Sequence, residues 1–318
     1  MRPARRCLIR RRTDERARSG CRRGPLASGY AKAVLRTRAG HTSALRLLTD
    51  NDRDEAIALC DRDPVANVFV RARLQASSLD PMRLGAQVWG FHDAGRLVSL
   101  CYVGANMVPV EAVHPAISAF AHRAGRQGRR CSSIAGPADA VGELWRQLAP
   151  FWDQPREVRV RQPLLAIAKD PLVPADAAVR IVRPAEVGIL LPASVAMFTE
   201  EVGVSPIGAD GGAAYRARVG ELVAAGRSLA RIEDDQVVFK AEVGAVTPHA
   251  CQVQGVWVPP ALRNRGYGSR GMAAVVEFAR RHMAPVVTLY VNDFNAPARA
   301  AYQRVGFTEV GTFTSVLF

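Results

Sequence analysis

The sequence predicts an α/β (α+β) protein built from two modules, and three observations support this fold class. Strand-like apolar runs alternate with segments of helical periodicity along residues 178–318, and a similar mixture fills residues 41–170. Between them, Asp170-Pro171-Leu172-Val173-Pro174 contains two prolines and no periodicity, which favours an extended linker. We therefore predict two domains, 41–170 and 171–318, with the boundary at residue 170.

Helices and strands alternate throughout the first module. Its predicted segments are a helix at 44–62, a hairpin of strands 86–91 and 96–103 around Asp93-Ala94-Gly95, helices near 115–125 and 139–149, and a closing strand Pro163–Ala168. Nothing in this pattern identifies a role for the first module.

The second module is predicted to have the element order β-α-α-β-β-β-α-β-α-β. Its segments are a strand Val179–Val182, helices 185–201 and 212–225, a hairpin of Ser228–Glu233 and Val237–Val246, a strand Cys251–Val258, an amphipathic helix ending near Met283, a strand Val286–Val291, a short helix from Ala296, and a last strand Phe307–Phe318.

Individual residues set the limits of these segments. Asp234-Asp235 supply the hairpin turn. Asn295 is predicted to cap the last helix and Gly306 to end it. The buried face of the helix at 185–201 is predicted to consist of Leu190, Leu191, Val195 and Phe198.

The formal net charge of +14 is concentrated at the N-terminus. Residues 1–40 hold 13 Lys+Arg and two Asp+Glu, a net of +11, which leaves +3 for residues 41–318. Residues 1–40 have no apolar periodicity, so we predict a disordered basic segment. It could contact nucleic acid or an anionic surface, be a solvated tail, or be upstream sequence included by a wrong start site.

The cysteine and hydropathy patterns limit the kinds of site and of cellular location that the sequence allows. The six cysteines lack C-x-x-C spacing and the six histidines do not cluster, so no metal site is expected. Four of the cysteines lie among apolar residues, as buried free thiols do, which favours a reducing compartment such as the cytoplasm. The sequence contains no run of about 18 apolar residues, so no membrane span is predicted.

A basic, glycine-rich turn joins a strand to an amphipathic helix at residues 256–268. Arg263 and Arg265 can bind an anion, and Gly266 and Gly268 permit its close approach to the backbone. Residues 264–269 would present free backbone N–H groups where the helix begins. The sequence therefore predicts a site for a phosphorylated ligand.

A dinucleotide is one alternative ligand, because residues 266–271 also fit G-x-G-x-x-G and Asp293 follows Gly271 by 22 residues. Three features argue against it. Seven residues separate the strand from Gly266, arginines precede the glycines, and only 25 residues follow Asp293. That is too little chain for the rest of a doubly wound sheet.

Two motifs resemble those of the GCN5-related N-acetyltransferase (GNAT) family. Arg263-x-x-Gly266-x-Gly268 resembles the Q/R-x-x-G-x-G/A loop that binds the acyl-CoA pyrophosphate, and residues 295–307 resemble the segment N-x-x-A-x-x-x-Y-x-x-x-G-F. The resemblance covers residues 178–318 and extends to an actinobacterial group with an additional N-terminal domain of unassigned function. It implies the GNAT fold, a mixed and mostly antiparallel sheet flanked by helices. The first module would be a degenerate copy of that fold or an unrelated α/β module.

The resemblance implies an N-acetyltransferase that uses acetyl-CoA as acyl donor and an amine as acceptor, with direct attack in a ternary complex. Tyr302 matches the family position that protonates the leaving thiolate. The alternative is that Tyr302 is a core tyrosine that packs between the last helix and the sheet. Residues expected to bind the cofactor are Val256, Trp257, Val258, Arg263, Asn264, Arg265, Gly266, Tyr267, Gly268, Ser269, Asn292 and Asn295.

The general base is predicted to be Glu242, which lies mid-strand among apolar residues. The alternative is that Glu242 pairs with Lys240 or points to solvent. Glu200 and Glu201 could bind a cationic substrate or form a solvated helix end, and we favour the latter. Two other function classes remain open: an acyl-CoA-binding regulatory module without turnover, and a nucleic-acid binder that uses the basic segment.

Overall fold

A computed structural model describes residues 33–36, 42–208 and 210–318. Within these residues the strands are β1 (Ala33–Arg36), β2 (Thr42–Leu47), β3 (Gln87–Asp93), β4 (Arg96–Val103), β5 (Asn106–Val110), β6 (Ser133–Pro137), β7 (Glu157–Ile167), β8 (Arg180–Ile181), β9 (Ser228–Glu233), β10 (Gln236–Val246), β11 (Ala250–Trp257), β12 (Val286–Tyr290) and β13 (Thr308–Leu317). The helices are α1 (Arg53–Cys60), α2 (Val68–Ala76), α3 (Pro81–Leu84), α4 (His114–Gln127), α5 (Ala138–Leu148), α6 (Val187–Val202), α7 (Ala213–Ala224), α8 (Tyr267–His282) and α9 (Ala296–Val305).

All of these strands belong to one sheet, in the order β1-β2-β3-β4-β5-β6-β13-β7-β12-β11-β10-β9-β8. Two pairs are parallel, β5 with β6 and β11 with β12, and the other pairs are antiparallel. A mostly antiparallel sheet is not the parallel, doubly wound sheet of a dinucleotide-binding fold, so the topology excludes that alternative.

The two halves of the chain share one topology. Each has a first strand, two helices, a three-stranded meander, a helix, a strand, a helix and a last strand. The element order predicted for the second module is therefore the observed order. The first half repeats this order from β2 onward, with β1 placed before it and the short α3 added, which favours a repeated fold over an unrelated module.

The last strands of the two halves, β7 and β13, are exchanged. β7 lies between β12 and β13, with Ile167 opposite Val287 and Leu164 opposite Tyr290. β13 in turn pairs with β6 of the first half. The predicted closing strand at 163–168 is thus longer and belongs to the second half of the sheet. The domain boundary at residue 170 stays a prediction, because the described residues all fall in one compact unit.

The linker after β7 is irregular, as predicted, but it is not a free spacer. The backbone N–H of Leu172 donates to the carbonyl of Val305 at 2.9 Å. Val173 packs against the core beneath α8 and α9. The contacts of Leu172 and Val173 therefore hold the linker along the second half.

The helix predicted at 44–62 is wrong in its first part. Thr42–Leu47 is the strand β2, and α1 begins only at Arg53. Leu45 and Leu47 pack against the same core at a spacing of two residues, which is the spacing of a strand. In a short apolar run, periodicity alone does not separate a strand from a helix. β1 also lies inside the segment predicted to be disordered; residues 1–32 and 37–40 lie outside the described residues.

Helices cover both faces of the sheet in both halves. Apolar clusters lie beneath α4 and α5, beneath α1 and α2, beneath α8 and α9, and beneath α6 and α7. Val68 of α2 packs on Ala245 and Ala250 of the second half, so a helix also joins the halves. Within the described ranges, no helix has both the length and the apolarity that crossing a membrane requires.

Candidate functional site

The parallel strands β11 and β12 separate at the middle of the second half. Their register runs only from Ala250 opposite Val286 to Gln252 opposite Thr288. Beyond that point β11 bulges at Gly255, whose φ is +59°, and its register with β10 shifts there. The far end of β11, which includes Val256 and Trp257, therefore has no strand partner on the β12 side among the described pairs. Unpaired backbone groups of this kind can bind an extended ligand.

The N-terminus of α8 lies just after this opening. Gly266 is its N-cap residue with φ +85°, and Asn264 also has a left-handed φ of +63°. The first N–H groups of a helix, here those of Tyr267, Gly268 and Ser269, have no acceptor within the helix. Together with the helix dipole they favour an anion.

Glycine at positions 266, 268 and 271, in the turn and the first part of α8, is explained by a different physical cause at each position. Gly266 adopts a left-handed φ that disfavours other residues. A Cβ on Gly271 would lie 2.6 Å from the ring of Phe239, so this glycine lets α8 pack closely on β10. At Gly268 a Cβ would meet only Val258, at 4.0 Å. Nothing in the described fold requires glycine at position 268, so this position leaves room for a ligand and fits a phosphate.

The two arginines of the loop differ in their contacts. Arg263 donates from Nε to the carbonyl of Val258 at 3.0 Å and from Nη2 to Glu200 at 2.7 Å. The indole of Trp257 donates to the same carboxylate oxygen at 3.1 Å, and the hydrogen bond from Arg263 lowers the pKa of Glu200. Arg265 is exposed and has no ion-pair partner in the described part of the chain. Arg265 is thus available to an anion, whereas Arg263 is tied to the end of α6.

Tyr302 lies on α9 with 7% of its surface exposed and packs edge-on against Phe307. Burial raises the pKa of its phenol well above the usual range, and the charge of Glu201 raises it further. No described residue hydrogen-bonds to its hydroxyl. The phenol is therefore protonated at neutral pH, the state a proton donor needs, and its catalytic role stays a prediction.

Glu242 forms an ion pair with a buried lysine. Lys240 is 0% exposed, and its Nζ lies 2.8 Å from the Glu242 carboxylate and donates to the carbonyl of Gly255 at 3.0 Å. The pairing considered as the alternative for Glu242 is thus the observed arrangement. Lys240 therefore contacts both Glu242 and the bulge of β11, and Glu242 as general base stays a prediction.

Asn292 and Asn295 make structural contacts. The Asn295 side chain accepts from the backbone N–H of Ala298 at 3.2 Å, which confirms the predicted helix cap. Asn292 accepts from the amide of Gln162 at 2.8 Å, and Gln162 in turn accepts from Ser315 at 2.6 Å. Gln162 and Ser315 belong to the exchanged strands, so the exchange supports the end of β12.

The buried face of α6 differs from the predicted one, and this brings Glu201 into the site. The buried residues are Leu190, Ala193, Ser194 and Met197, so only Leu190 was predicted. Because α6 is apolar on nearly all sides, periodicity did not select one face. Glu201 follows Met197 by one turn, and its carbonyl accepts from Nη2 of Arg159 at 2.7 Å.

The Glu201 side chain is exposed at the end of α6. Burial by its surroundings raises the pKa of its carboxyl group. Burial raises the pKa values of Tyr215, Tyr290 and Tyr302, and the charge of Glu201 adds to each shift. Glu201 is therefore close enough to groups on α7, β12 and α9 to influence their pKa values. The predicted helix face did not indicate this, because it included neither Met197 nor Glu201.

Family models match both halves of the chain. Residues 209–307 match the "Acetyltransferase (GNAT) family", and residues 86–190 match a "Domain of unknown function (DUF4081)". No curated protein sequence matches this chain.

Solved structures share the fold across both halves. A tandem GNAT protein from the clavulanic acid biosynthesis pathway has 16% identity and a TM-score of 0.55 over 86% of this chain and 98% of its own. A GCN5-related N-acetyltransferase from Sphaerobacter thermophilus has 15% identity and a TM-score of 0.54, over 86% and 94%. A GNAT-family acetyltransferase from Colwellia psychrerythraea has 12% identity and a TM-score of 0.52, over 86% and 99%.

The family model and the shared fold support an acyl-transfer function. This chain carries a GNAT-family acetyltransferase domain at residues 209–307, preceded by a DUF4081 domain, on a fold shared with tandem GNAT proteins.

Proposed function

We propose that this protein transfers an acetyl group from acetyl-CoA to an amine by direct attack in a ternary complex. The observation that carries the proposal is the position of the α8 N-terminus beside the open end of β11, in a domain of the GNAT family. A phosphate site next to unpaired strand backbone suits a ligand with a pyrophosphate and an extended arm.

The donor would bind in two parts. The backbone N–H groups of Tyr267, Gly268 and Ser269 would hold the pyrophosphate, with Arg265 beside them. The pantetheine arm would lie along β11 at Val256 and Val258, where the backbone lacks a strand partner.

The first half would bind no donor in this way. Only three residues, 111–113, join β5 to α4, against nine, 258–266, between β11 and α8. The short connection has no room for an arginine and glycine loop, so one donor site per chain is expected.

The chemistry requires one bond to form and one to break. The acceptor amine loses its proton to Glu242, the predicted base, and its nitrogen attacks the thioester carbonyl carbon, after which the carbon–sulfur bond breaks. The leaving thiolate takes the phenolic proton of Tyr302, which burial keeps in place until that step. Protons from the amine pass to solvent and restore the phenol of Tyr302 after turnover.

The cysteines of the described residues are free and buried, which suits a reducing compartment; they are Cys60, Cys101, Cys131 and Cys251. We therefore infer a cytoplasmic enzyme.

Calorimetric titration with acetyl-CoA tests the donor site in the full chain. Gly268→Glu places a carboxylate where the phosphate would bind, at a position with ordinary φ and free space. We expect affinity to fall at least about tenfold, or about 1.4 kcal/mol. Gly220→Glu on α7 is the matched control, because that glycine also has open space around it. Equal affinity in Gly268→Glu, or no binding by the parent, would contradict the proposal.

An acyl-CoA-binding regulatory module is the second candidate. It is favoured by the ion pairs that occupy Glu242 and Arg263. A module of this kind would bind acetyl-CoA at the same loop and would release no free CoA with any amine. The nucleic-acid alternative rests on residues 1–40, nearly all of which lie outside the described ranges.

A further inference from the structure

A fully buried lysine lies on the strand next to the donor opening. Lys240, in the middle of β10, is 0% exposed, and lysine is almost never fully buried without a partner. Removing an ammonium group from water is costly, so such a group needs a paired charge and further hydrogen bonds. No step of the proposed acetyl transfer uses Lys240, and what its contacts hold in place therefore indicates its role.

The Lys240 ammonium has two partners on different strands. Its Nζ lies 2.8 Å from the carboxylate of Glu242 on β10, and it donates to the backbone carbonyl of Gly255 on β11 at 3.0 Å. Met197 of α6 covers the same place, because a Cβ on Gly255 would lie 3.2 Å from its Cε. The second partner is a backbone group of the bulge, so Lys240 joins β10 to the part of β11 that borders the donor opening.

The bulge of β11 and this ion pair fit each other closely. The register with β10 leaves Gly255 and Val256 opposite the single residue Ala241. Gly255 has φ +59°, and a Cβ there would lie 3.2 Å from Lys240 Nζ and 3.2 Å from Glu242 Oε2. Any larger residue at this position would therefore be strained and would crowd the ion pair. The glycine leaves room for the pair, and the pair contacts the glycine's own backbone.

The contact with Lys240 sets the direction of one peptide group. A trans peptide points its C=O and its N–H in opposite directions, and the described residues contain no cis peptide. The carbonyl of Gly255 points to Lys240, so the N–H of Val256, in the same peptide, points away from it. β10 and β12 flank β11 on opposite sides. The N–H of Val256 is therefore directed to the side on which β11 and β12 separate.

We propose that Lys240 is a positioning residue for the acyl donor: it holds the Gly255–Val256 peptide so that the N–H of Val256 donates to an amide carbonyl of the pantetheine arm. This inference rests on the proposed acetyl transfer. Lys240 itself touches no part of the donor. A peptide that is already oriented loses less conformational freedom when the arm binds, so the effect of Lys240 is on donor affinity.

Variants of the ion pair separate positioning from folding. Lys240→Met removes the ammonium at similar length but leaves the Glu242 carboxylate buried and unpaired, which is strongly destabilising. The double variant Lys240→Met/Glu242→Gln removes that charge as well, and thermal unfolding shows whether it is folded. Glu242→Gln alone keeps Lys240 and its hydrogen bond to Gly255. Lys169→Met is the matched control, because it makes the same change at an exposed lysine.

Two ligands separate the pantetheine arm from the phosphate site. Acetyl-CoA has both parts, whereas 3′-phosphoadenosine 5′-diphosphate has the nucleotide and the pyrophosphate without the arm. In calorimetry with the full chain, we expect the double variant to bind acetyl-CoA about three- to tenfold more weakly, which is what one hydrogen bond contributes. It should bind the nucleotide without the arm as tightly as the parent does. Glu242→Gln and Lys169→Met should bind both ligands like the parent.

General damage to the site would weaken the binding of both ligands together. Three results would each overturn the role of Lys240 and leave the donor site of the parent intact: equal losses of affinity for the two ligands, parental acetyl-CoA affinity in the folded double variant, or a double variant without cooperative thermal unfolding. If the parent itself binds no acetyl-CoA, the proposed function fails, since there is then no donor for Lys240 to position.

Discussion

At the scale of single residues, the site depends on how burial and charge separate chemically similar groups. Tyr302 and Glu201 both have raised pKa values because their surroundings disfavour charge. For a phenol this preserves the proton that a leaving thiolate needs. For the carboxyl group of Glu201 it favours the neutral acid over the carboxylate.

Tyr302→Phe removes the phenolic proton with little change in shape. We expect kcat to fall at least about 100-fold, with acetyl-CoA affinity unchanged within about twofold, as measured by thiol release and calorimetry. Tyr102→Phe is the control, because Tyr102 is a buried tyrosine of the first half. An unchanged kcat in Tyr302→Phe would remove Tyr302 from the mechanism.

At the scale of elements, the end of α6 is coupled to the donor loop. Glu200 accepts hydrogen bonds from Arg263 and Trp257, so the C-terminal end of α6 holds the loop arginine. A pyrophosphate at this loop would compete with Glu200 for Arg263. Donor binding would then release one of the two contacts that position Glu201.

Glu200→Gln tests this coupling. Both side chains of the pair are partly exposed, so the pair is worth about 0.2–1 kcal/mol, and freeing Arg263 should tighten acetyl-CoA binding by up to about fivefold. The gain should shrink at high salt. Since Arg263 lowers the pKa of Glu200, the pair persists below the usual range of a glutamate and is lost as pH falls further. Calorimetry beside Glu221→Gln measures this, and weaker binding in Glu200→Gln would contradict it.

At the scale of the whole molecule, the exchanged strands make the second half depend on the first. β7 supplies Arg159 and Gln162, which support Glu201 and Asn292. It also pairs with both β12 and β13. A domain that begins at residue 171 would therefore contain the donor loop but lack the strand at the centre of its sheet.

Expression of residues 171–318 alone tests this dependence. Without β7, an edge of β12 and most of the ladder of β13 lose their partners, so we expect an aggregated or unfolded fragment. Co-expression with residues 1–170 should restore a folded complex that purifies as one species. A monomeric 171–318 fragment with cooperative thermal unfolding would contradict the expectation and support an independent domain.

The sequence by itself determined the local features of this protein. Asp234 and Asp235 adopt the left-handed φ values of a tight hairpin, and Gly306 ends α9 with φ +107°. Such features depend on residues close in the chain, where side-chain size and backbone strain act directly. The left-handed turn at Gly266 and the second-half element order were predictable for the same reason.

Only the tertiary structure decided which strands are neighbours and which polar groups meet. Backbone hydrogen bonds are the same for every strand, so no local pattern encodes that β7 pairs with β12. The ion pair of Glu242 could be anticipated, since Lys240 lies two residues away, but the position of Glu201 could not. It depends on how α6 packs over a bulge more than fifty residues distant in the chain. Contacts between distant segments depend on how the surfaces of whole helices and strands pack together. This packing exists only in the folded protein.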